Sequence, residues 1–183
     1  MALVGSPRRQ GNTVFAVSVA TKELERRGLS CETVMLCDLP ISLYDVDTDQ
    51  QTRVSAEEDV EALLDRVWAA DGLILATPIY FCNVSAQMKA FMDRSGRVSS
   101  ANGGFFTRKA GAAITAVRRG GAAHSLDSMN HWLHIQQTYL VGSSYWNMVY
   151  CREIGEAAKD EEGIKTMKIL GQNMAYLLER LKK

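Results

Sequence analysis

Short, wholly apolar runs alternate with longer amphipathic ones along this chain, and the run Gly72-Leu73-Ile74-Leu75-Ala76 has no polar face at all. A strand that is apolar on both sides must be covered on both sides, which is the situation of a central strand in a parallel sheet. Ala2 to Gly5 reads as an earlier short strand. From Thr13 to about Arg27, apolar Val14, Val17 and Leu24 recur at helical spacing until Gly28. A second strand is predicted at about Cys31 to Leu36, followed by a polar, Pro40-containing loop from Cys37 to Arg53. Ser55 with Glu58 forms a capping box, and Val60, Leu63, Leu64, Val67 and Trp68 then make one apolar stripe. The central run stops at Thr77-Pro78. A helix is predicted from Ser85 to about Arg94, then a Gly/Ser/Asn-rich loop to Thr107, and then the small-residue strand Ala110 to Val117. A further helix runs from Ser125 to about Tyr139, and Leu140 to Tyr150 contains the fifth strand. The last helix carries Ile164, Met167, Met174, Leu177, Leu178 and Leu181 on one side. Five β-α units imply an α/β domain spanning residues 1–183, with a parallel sheet between helices on both faces. Right-handed crossovers place the functional loops at the C-terminal strand ends, here after strands one, three and four.

Composition limits the partner. At 183 residues the chain suits one domain, and 46% apolar with 23% charged residues argues against disorder. Lys plus Arg equals Asp plus Glu at 21 each, so no net field draws the protein to nucleic acid or an anionic membrane. A small molecule is the expected partner. Cys31, Cys37, Cys82 and Cys151 form no C-x-x-C pair, so spacing implies neither a zinc nor a cluster site, and free thiols in a cytoplasmic location are expected. No apolar run reaches the roughly 18 to 20 residues that span a bilayer, and the first residues are not those of a signal peptide.

Gly5-Ser-Pro-Arg-Arg-Gln-Gly-Asn-Thr13 joins the first strand to the first helix. Backbone N–H groups at the positive end of a helix, hydroxyls at Ser6 and Thr13, the amide of Asn12 and the cation of Arg8 are the parts that hold one terminal phosphate. A P-loop has four residues between its glycines and then Lys, whereas five lie between Gly5 and Gly11 and Asn12 follows, which disfavours a Mg-nucleoside triphosphate. The G-x-G-x-x-G fingerprint is absent, as is the cysteine of a phosphotyrosine-type phosphatase. The plainer alternative is a turn at Gly5-Ser6-Pro7 with Asn12 or Thr13 as helix cap and no ligand.

Thr77-Pro-Ile-Tyr-Phe-Cys-Asn-Val-Ser85 leaves the most buried strand. Pro78, Ile79, Tyr80 and Phe81 offer a surface for a flat aromatic ligand, with backbone groups and Asn83 at its polar edge; alternatively, Tyr80 and Phe81 simply cover the sheet end. The two loops together point to a compound with a terminal phosphate and a planar ring system.

With GSPRRQGNT near the start, TPIYFCNVSAQMKAFMDR after the third strand and GEAAKDEEG before the last helix, the chain resembles the NADPH-dependent FMN reductase family, near its iron-sulfur flavoprotein and quinone reductase relatives. That resemblance implies a flavodoxin-like three-layer sandwich with a five-stranded parallel sheet in the order 2-1-3-4-5. It implies bound FMN, with NADPH or NADH as electron donor. By that resemblance FMN would accept hydride at N5 from the donor and then reduce a quinone, azo or nitro compound, flavin or metal ion, so no catalytic side chain or metal ligand is required. Ser6, Arg8, Asn12 and Thr13 would hold the phosphate in a loop that includes Gln10 and Gly11. Pro78, Ile79, Tyr80, Phe81 and Asn83 would contact the ribityl chain and ring. Thr115, Ala116, Val117, Arg118, Gly120 and Gly121 would border the ring's other side, where Arg118 or Arg119 either stabilises the anionic reduced flavin or is a solvated strand-end charge.

The sequence departs from that pattern in three places. Cys82 stands where relatives often have glycine. Ser42-Leu-Tyr-Asp-Val-Asp47 replaces the clustered cysteines of the iron-sulfur branch, which argues against a cluster. The first strand is short at its N-terminal side, as a late start or a truncated sequence would leave it. Relatives also assemble, and Trp132, Tyr139, Tyr145, Trp146 and Tyr150 supply aromatic surface for a homodimer or homotetramer. His131 and His134 lack a third metal ligand, and Asp45, Asp47 and Asp49 are followed by Gln50 and Ala56 where a calcium loop needs Gly and Glu. The competing readings are a flavodoxin-type electron carrier and a flavin-binding sensor module.

Overall fold

The computed structural model describes residues 1–43 and 58–181. The capping box at Ser55, the aspartates at 45, 47 and 49, and most of the Ser42–Asp47 stretch lie outside the described residues. The elements are β1 (Ala2–Val4), α1 (Asn12–Glu25), β2 (Thr33–Met35), α2 (Glu58–Ala69), β3 (Gly72–Pro78), α3 (Ala86–Ala101), β4 (Ala110–Val117), α4 (Ala122–Ile135), β5 (Tyr139–Leu140), β6 (Met148–Tyr150) and α5 (Glu161–Leu181). Short 3-10 turns follow β2 at Leu36–Asp38 and precede α5 at Glu156–Lys159.

The sheet has the order β2-β1-β3-β4-β5, with β6 also paired to β4. Every pairing is parallel, with Leu3 opposite both Val34 and Leu75, and Leu75 opposite Ala113. Alternation along the strands sends Leu3, Leu73 and Leu75 into a core shared with α2, α3 and α4. It sends Val4, Ile74, Ala76 and Ile114 into a second core shared with α1 and α5. Leu73, Ile74 and Leu75 are fully buried, each contributing roughly 1.5–3 kcal/mol relative to exposure. No described helix is long and apolar enough to cross a membrane.

Three elements differ from expectation. The expected fifth strand is two strands: β5 pairs with Ala110 and Gly111, β6 pairs with Thr115 to Val117, and residues 142–146 leave the ladder between them. Helix α3 continues past Arg94 to Ala101, where Ser95, Gly96 and Ser99 are buried; Gly96 lies against Trp132, whose indole donates to Met92 O at 2.8 Å, and Ser99 accepts Phe105 N. Small polar residues that resemble a loop are there the ones a close helix contact admits. Helix α4 starts at Ala122 and ends at Ile135, so both ends precede the predicted ones. Trp68 also leaves its predicted stripe: Leu63, Leu64 and Val67 are buried, while Trp68 packs edge-on against Phe105 at the surface. The end of α2 is closed by Lys109, whose ammonium donates to Trp68 O and Ala70 O and is held below the usual lysine range by burial.

Candidate functional site

The three predicted loops of interest open at the C-terminal end of the sheet. The first joins β1 to α1. Gly5 N donates to Ala76 O at 2.8 Å, so the loop departs from the ladder beside β3. A Cβ on Gly5 would stand 2.6 Å from Ser85 Oγ and 2.9 Å from Met88 Cβ, so only glycine lets this loop lie against the start of α3. Ser6 is buried and accepts Arg8 N–H at 3.1 Å, and Gly11 N donates back to Arg8 O at 3.1 Å, which closes a compact turn ahead of the helix.

Gly11 is the N-cap of α1, and no side chain caps the helix. The N–H groups of Asn12, Thr13 and Val14 belong to the unsatisfied first turn and carry its positive partial charge. Thr13 is 2% exposed with a hydroxyl that finds no partner among the described residues. Arg8 and Gln10 are exposed at the rim, and Arg8 makes no ion pair among the described residues, unlike neighbouring Arg9, which pairs with Asp38 at 2.6 Å. Open amides, a hydroxyl and a free guanidinium fit a dianionic terminal phosphate. Asn12 is different: its Nδ2 donates to Glu153 O at 2.8 Å, and its Oδ1 accepts from Gly155 N at 3.0 Å and Ala157 N at 3.2 Å. The side chain expected at the phosphate is spent on another loop, and only its backbone N–H faces the helix end.

The second loop leaves β3. Ile79 N donates to Ala116 O at 3.1 Å, extending the ladder past Pro78, and Ile79 packs against the core. Tyr80 and Asn83 then exchange both backbone bonds at 3.0 Å around a two-residue tip, Phe81 and Cys82, with φ of 50° and 60°. Left-handed conformation at two consecutive non-glycine residues costs roughly 1–2 kcal/mol each, and the paired bonds hold it. Phe81 is fully exposed and Tyr80 is 44% exposed. Asn83 Oδ1 accepts Val84 N at 2.8 Å, leaving its NH2 group as the available donor. Ser85 caps α3 by accepting Met88 N at 3.2 Å and donates its own N–H to Thr77 Oγ1 at 3.0 Å, so the loop is anchored at both ends.

The third loop follows β4. Thr115, Ala116 and Val117 lie within the strand and are buried, and Val117 O accepts Cys151 N at 2.9 Å. Their side chains are core groups; what reaches the surface is Arg118, Arg119, Gly120 and Gly121. Thr115 Oγ1 and Ser125 Oγ are buried without partners among the described residues. Arg118 and Arg119 make no ion pair among the described residues. Gly121 caps α4 with φ 88°, and a Cβ there would lie 2.9 Å from Cys82 Sγ and 3.0 Å from Cys82 Cα. The second and third loops are thus in direct contact through the residue that departs from glycine.

Sequence reasoning did not identify the segment after β6 as part of this end. Glu156 accepts Arg152 N at 2.8 Å and Glu153 N at 2.9 Å, and these bonds from Glu153 and Arg152 hold its carboxyl below the usual range. Burial, reinforced by Glu156, pushes the Cys151 thiol up to about 11. The motif GEAAKDEEG marked the segment, but its partner Asn12 lies more than a hundred residues away. Among the described residues no three His, Cys, Asp or Glu side chains gather as a metal site, and the four cysteines are free.

A family model described as NADPH-dependent FMN reductase matches residues 1–152. An iron-sulfur flavoprotein of Methanocaldococcus jannaschii is 29% identical over 193 residues, covering 100% of this chain and 98% of the relative. Among solved structures, FerB, a flavoenzyme NAD(P)H:(acceptor) oxidoreductase from Paracoccus denitrificans, superposes with a TM-score of 0.73 at 22% identity, covering 98% of this chain and 96% of FerB. RosB with a bound 8-demethyl-8-formylriboflavin-5'-phosphate intermediate superposes with a TM-score of 0.81 at 18% identity, covering 99% of this chain and 79% of RosB. At those identities the two structures establish the fold, which is flavodoxin-like.

Proposed function

The chain belongs to the NADPH-dependent FMN reductase family and is an FMN-dependent oxidoreductase; we propose that it takes hydride from NADPH or NADH and delivers electrons to a small acceptor of the quinone, azo, nitro, flavin or metal-ion type. The observation that carries the reading is the uncapped first turn of α1, with Thr13 and an unpaired Arg8 beside it. When bound there, FMN supplies the redox chemistry, and the protein needs no acid-base pair of its own.

The residues divide the remaining work. Open amides of α1, Thr13, Ser6 and Arg8 hold the phosphate, and Gln10 and Gly11 complete the loop. Pro78, Ile79, Tyr80, Phe81 and the free amide of Asn83 line one side of the ring, and Arg118 to Gly121 line the other, with Thr115, Ala116 and Val117 as the buried strand beneath. Arg118 or Arg119 offers a cation to the reduced ring. Prepositioned groups of this kind act by orientation and electrostatics.

FMN without a cluster is the proposed complement, although relatives are named iron-sulfur flavoproteins. Cys31 precedes β2, Cys37 follows it, and Cys82 and Cys151 sit on two other loops, and among the described residues no three His, Cys, Asp or Glu side chains gather. The free thiols suit a reducing cytoplasm. Exposed Tyr139, Tyr145, Trp146 and Tyr150 are proposed to support a homodimer or homotetramer, which sedimentation at micromolar concentration tests.

The deciding experiment mixes FMN-loaded protein with NADPH or NADH in a stopped-flow instrument under argon. Bleaching of the flavin band is expected with at least one donor. Bound flavin that neither donor bleaches would make the protein a carrier of the flavodoxin type, and absence of FMN fluorescence quenching would make it a module for another ligand. The visible spectrum and iron content of the same sample test the cluster.

A further inference from the structure

Residues 152–159 form a rim beside the phosphate end of α1, and they are fastened to the rest of the fold in an uneven way. Within the rim, Glu156 accepts from Arg152 and Glu153, Arg152 pairs with Glu153, and the 3-10 turn bonds to itself. All of those bonds are local. Among the described residues, every hydrogen bond from 152–159 to a distant part of the chain is made by the side chain of Asn12: to Glu153 O, Gly155 N and Ala157 N at 2.8, 3.0 and 3.2 Å. Ala157, fully buried against the core of α1 and α5, supplies the apolar anchor.

Asn12 also opens the first turn of α1, so its backbone N–H is one of the donors available to an anion while its side chain faces the rim. One residue therefore joins the cradle to the segment next to it. An amide suits this task because it presents one acceptor for two converging backbone N–H groups and one donor for a carbonyl, a combination that neither a carboxylate nor an ammonium offers.

We propose that Asn12 is a positioning residue rather than a phosphate ligand through its side chain: it holds Glu153–Ala157 as the outer wall of the cofactor site, and occupancy of the cradle and order of that wall are coupled. The proposal rests on the FMN reading for the identity of the ligand.

Residue-resolved amide hydrogen exchange on the full chain, with and without FMN, tests it alongside FMN titration of wild type, Asn12→Ala and Asn12→Asp. In the FMN-free protein, Asn12→Ala is expected to speed exchange at Gly155 and Ala157 by about tenfold, the scale of one lost hydrogen bond. Asn12→Asp keeps the acceptor and restores protection at both amides, while its charge still weakens FMN. In wild type, FMN slows exchange at Gly155 and Ala157, and Asn12→Ala weakens FMN by about tenfold.

Unchanged exchange at Gly155 and Ala157 in Asn12→Ala would overturn the tie. FMN binding that leaves those amides unprotected in wild type, or undiminished FMN affinity in Asn12→Ala, would overturn the coupling. If wild type binds no FMN at all, the functional reading fails by itself, and the contrast between the alanine and aspartate variants still reports on the tie.

Discussion

Gly121 and Gly155 make a matched pair that separates two costs usually mixed together. Both cap a helical turn, with φ and ψ of 88° and −3° at Gly121 and 87° and −7° at Gly155. A Cβ on Gly155 meets nothing within 4 Å, whereas one on Gly121 meets Cys82 Sγ at 2.9 Å, Cα at 3.0 Å and Cβ at 3.2 Å. Gly155→Ala therefore incurs only the left-handed penalty of an L-residue, about 1–2 kcal/mol. Gly121→Ala incurs the same penalty plus overpacking of about 1–3 kcal/mol, because the thiol can rotate away but the Cys82 backbone cannot, pinned as it is by the Tyr80–Asn83 bonds. The expected totals are about 1–2 and about 2–5 kcal/mol. Urea unfolding of the purified variants gives both numbers, provided the m-value is unchanged. Adding Cys82→Gly should recover part of the Gly121→Ala loss by removing Sγ and Cβ, and FMN affinity should fall for Gly121→Ala more than for Cys82→Gly. Equal losses for the two alanine variants, within about 0.5 kcal/mol, would refute the claim that the ring turn and the start of α4 are packed to contact.

Iodoacetamide at pH 8 should label exposed Cys82 and spare half-buried Cys151, as mass mapping of the adduct would reveal. The Cys151 thiol is raised in the fold from 9.0 to about 11, so its contribution to stability is complete below pH 9 and is lost as pH rises through about 11. Cys151→Ala should accordingly flatten the fall in Tm over that window relative to wild type. Replacing Arg118 or Arg119 by Gln removes a cation from the reduced flavin, and for the arginine that faces the ring the midpoint potential should drop by about 20–40 mV. Spectroelectrochemistry showing both variants at the wild-type potential would remove that role.

What the sequence disclosed, and what it concealed, follows from where each residue's partners lie. The run 72–76 was legible because burial on both faces leaves only one kind of neighbour, and the strand Ala110 to Val117 beside it was legible for the same reason. The loop from Gly5 to Thr13 was legible as a turn leading into a helix start, because backbone geometry there needs no distant partner. Helix α3 beyond Arg94 was not, since the close packing at Gly96 depends on Trp132, some forty residues later. The split of the fifth strand depends on which part of β4 each piece finds, a matter of register rather than propensity. The bonds of Asn12 to Glu153, Gly155 and Ala157 were not legible, because composition shows what an amide can bond and not which backbone reaches it.

The walls of the site are held by one another. Gly5 admits Ser85, Ser85 is bonded to Thr77, Cys82 rests on Gly121, and Asn12 holds the rim from 153 to 157. The contacts at Gly5, Ser85 and Cys82 require no ligand, so those loops are positioned without FMN and forgo the ordering cost of a flexible site, and only the rim tied by Asn12 is proposed to gain order on binding. The cations stand apart from this framework: Arg8, Arg118 and Arg119 stay unpaired among the described residues, while Arg9, Arg26, Arg27, Arg66 and Arg152 have carboxylate partners. A chain whose formal charges sum to zero thus still leaves three unpaired guanidinium groups on the loops proposed to meet the phosphate and the ring. That separation between bonded framework and free charge allows an FMN enzyme to tune its cofactor without an acid-base residue, since a guanidinium already paired would have to break its bond before it could respond to the change of charge on the ring.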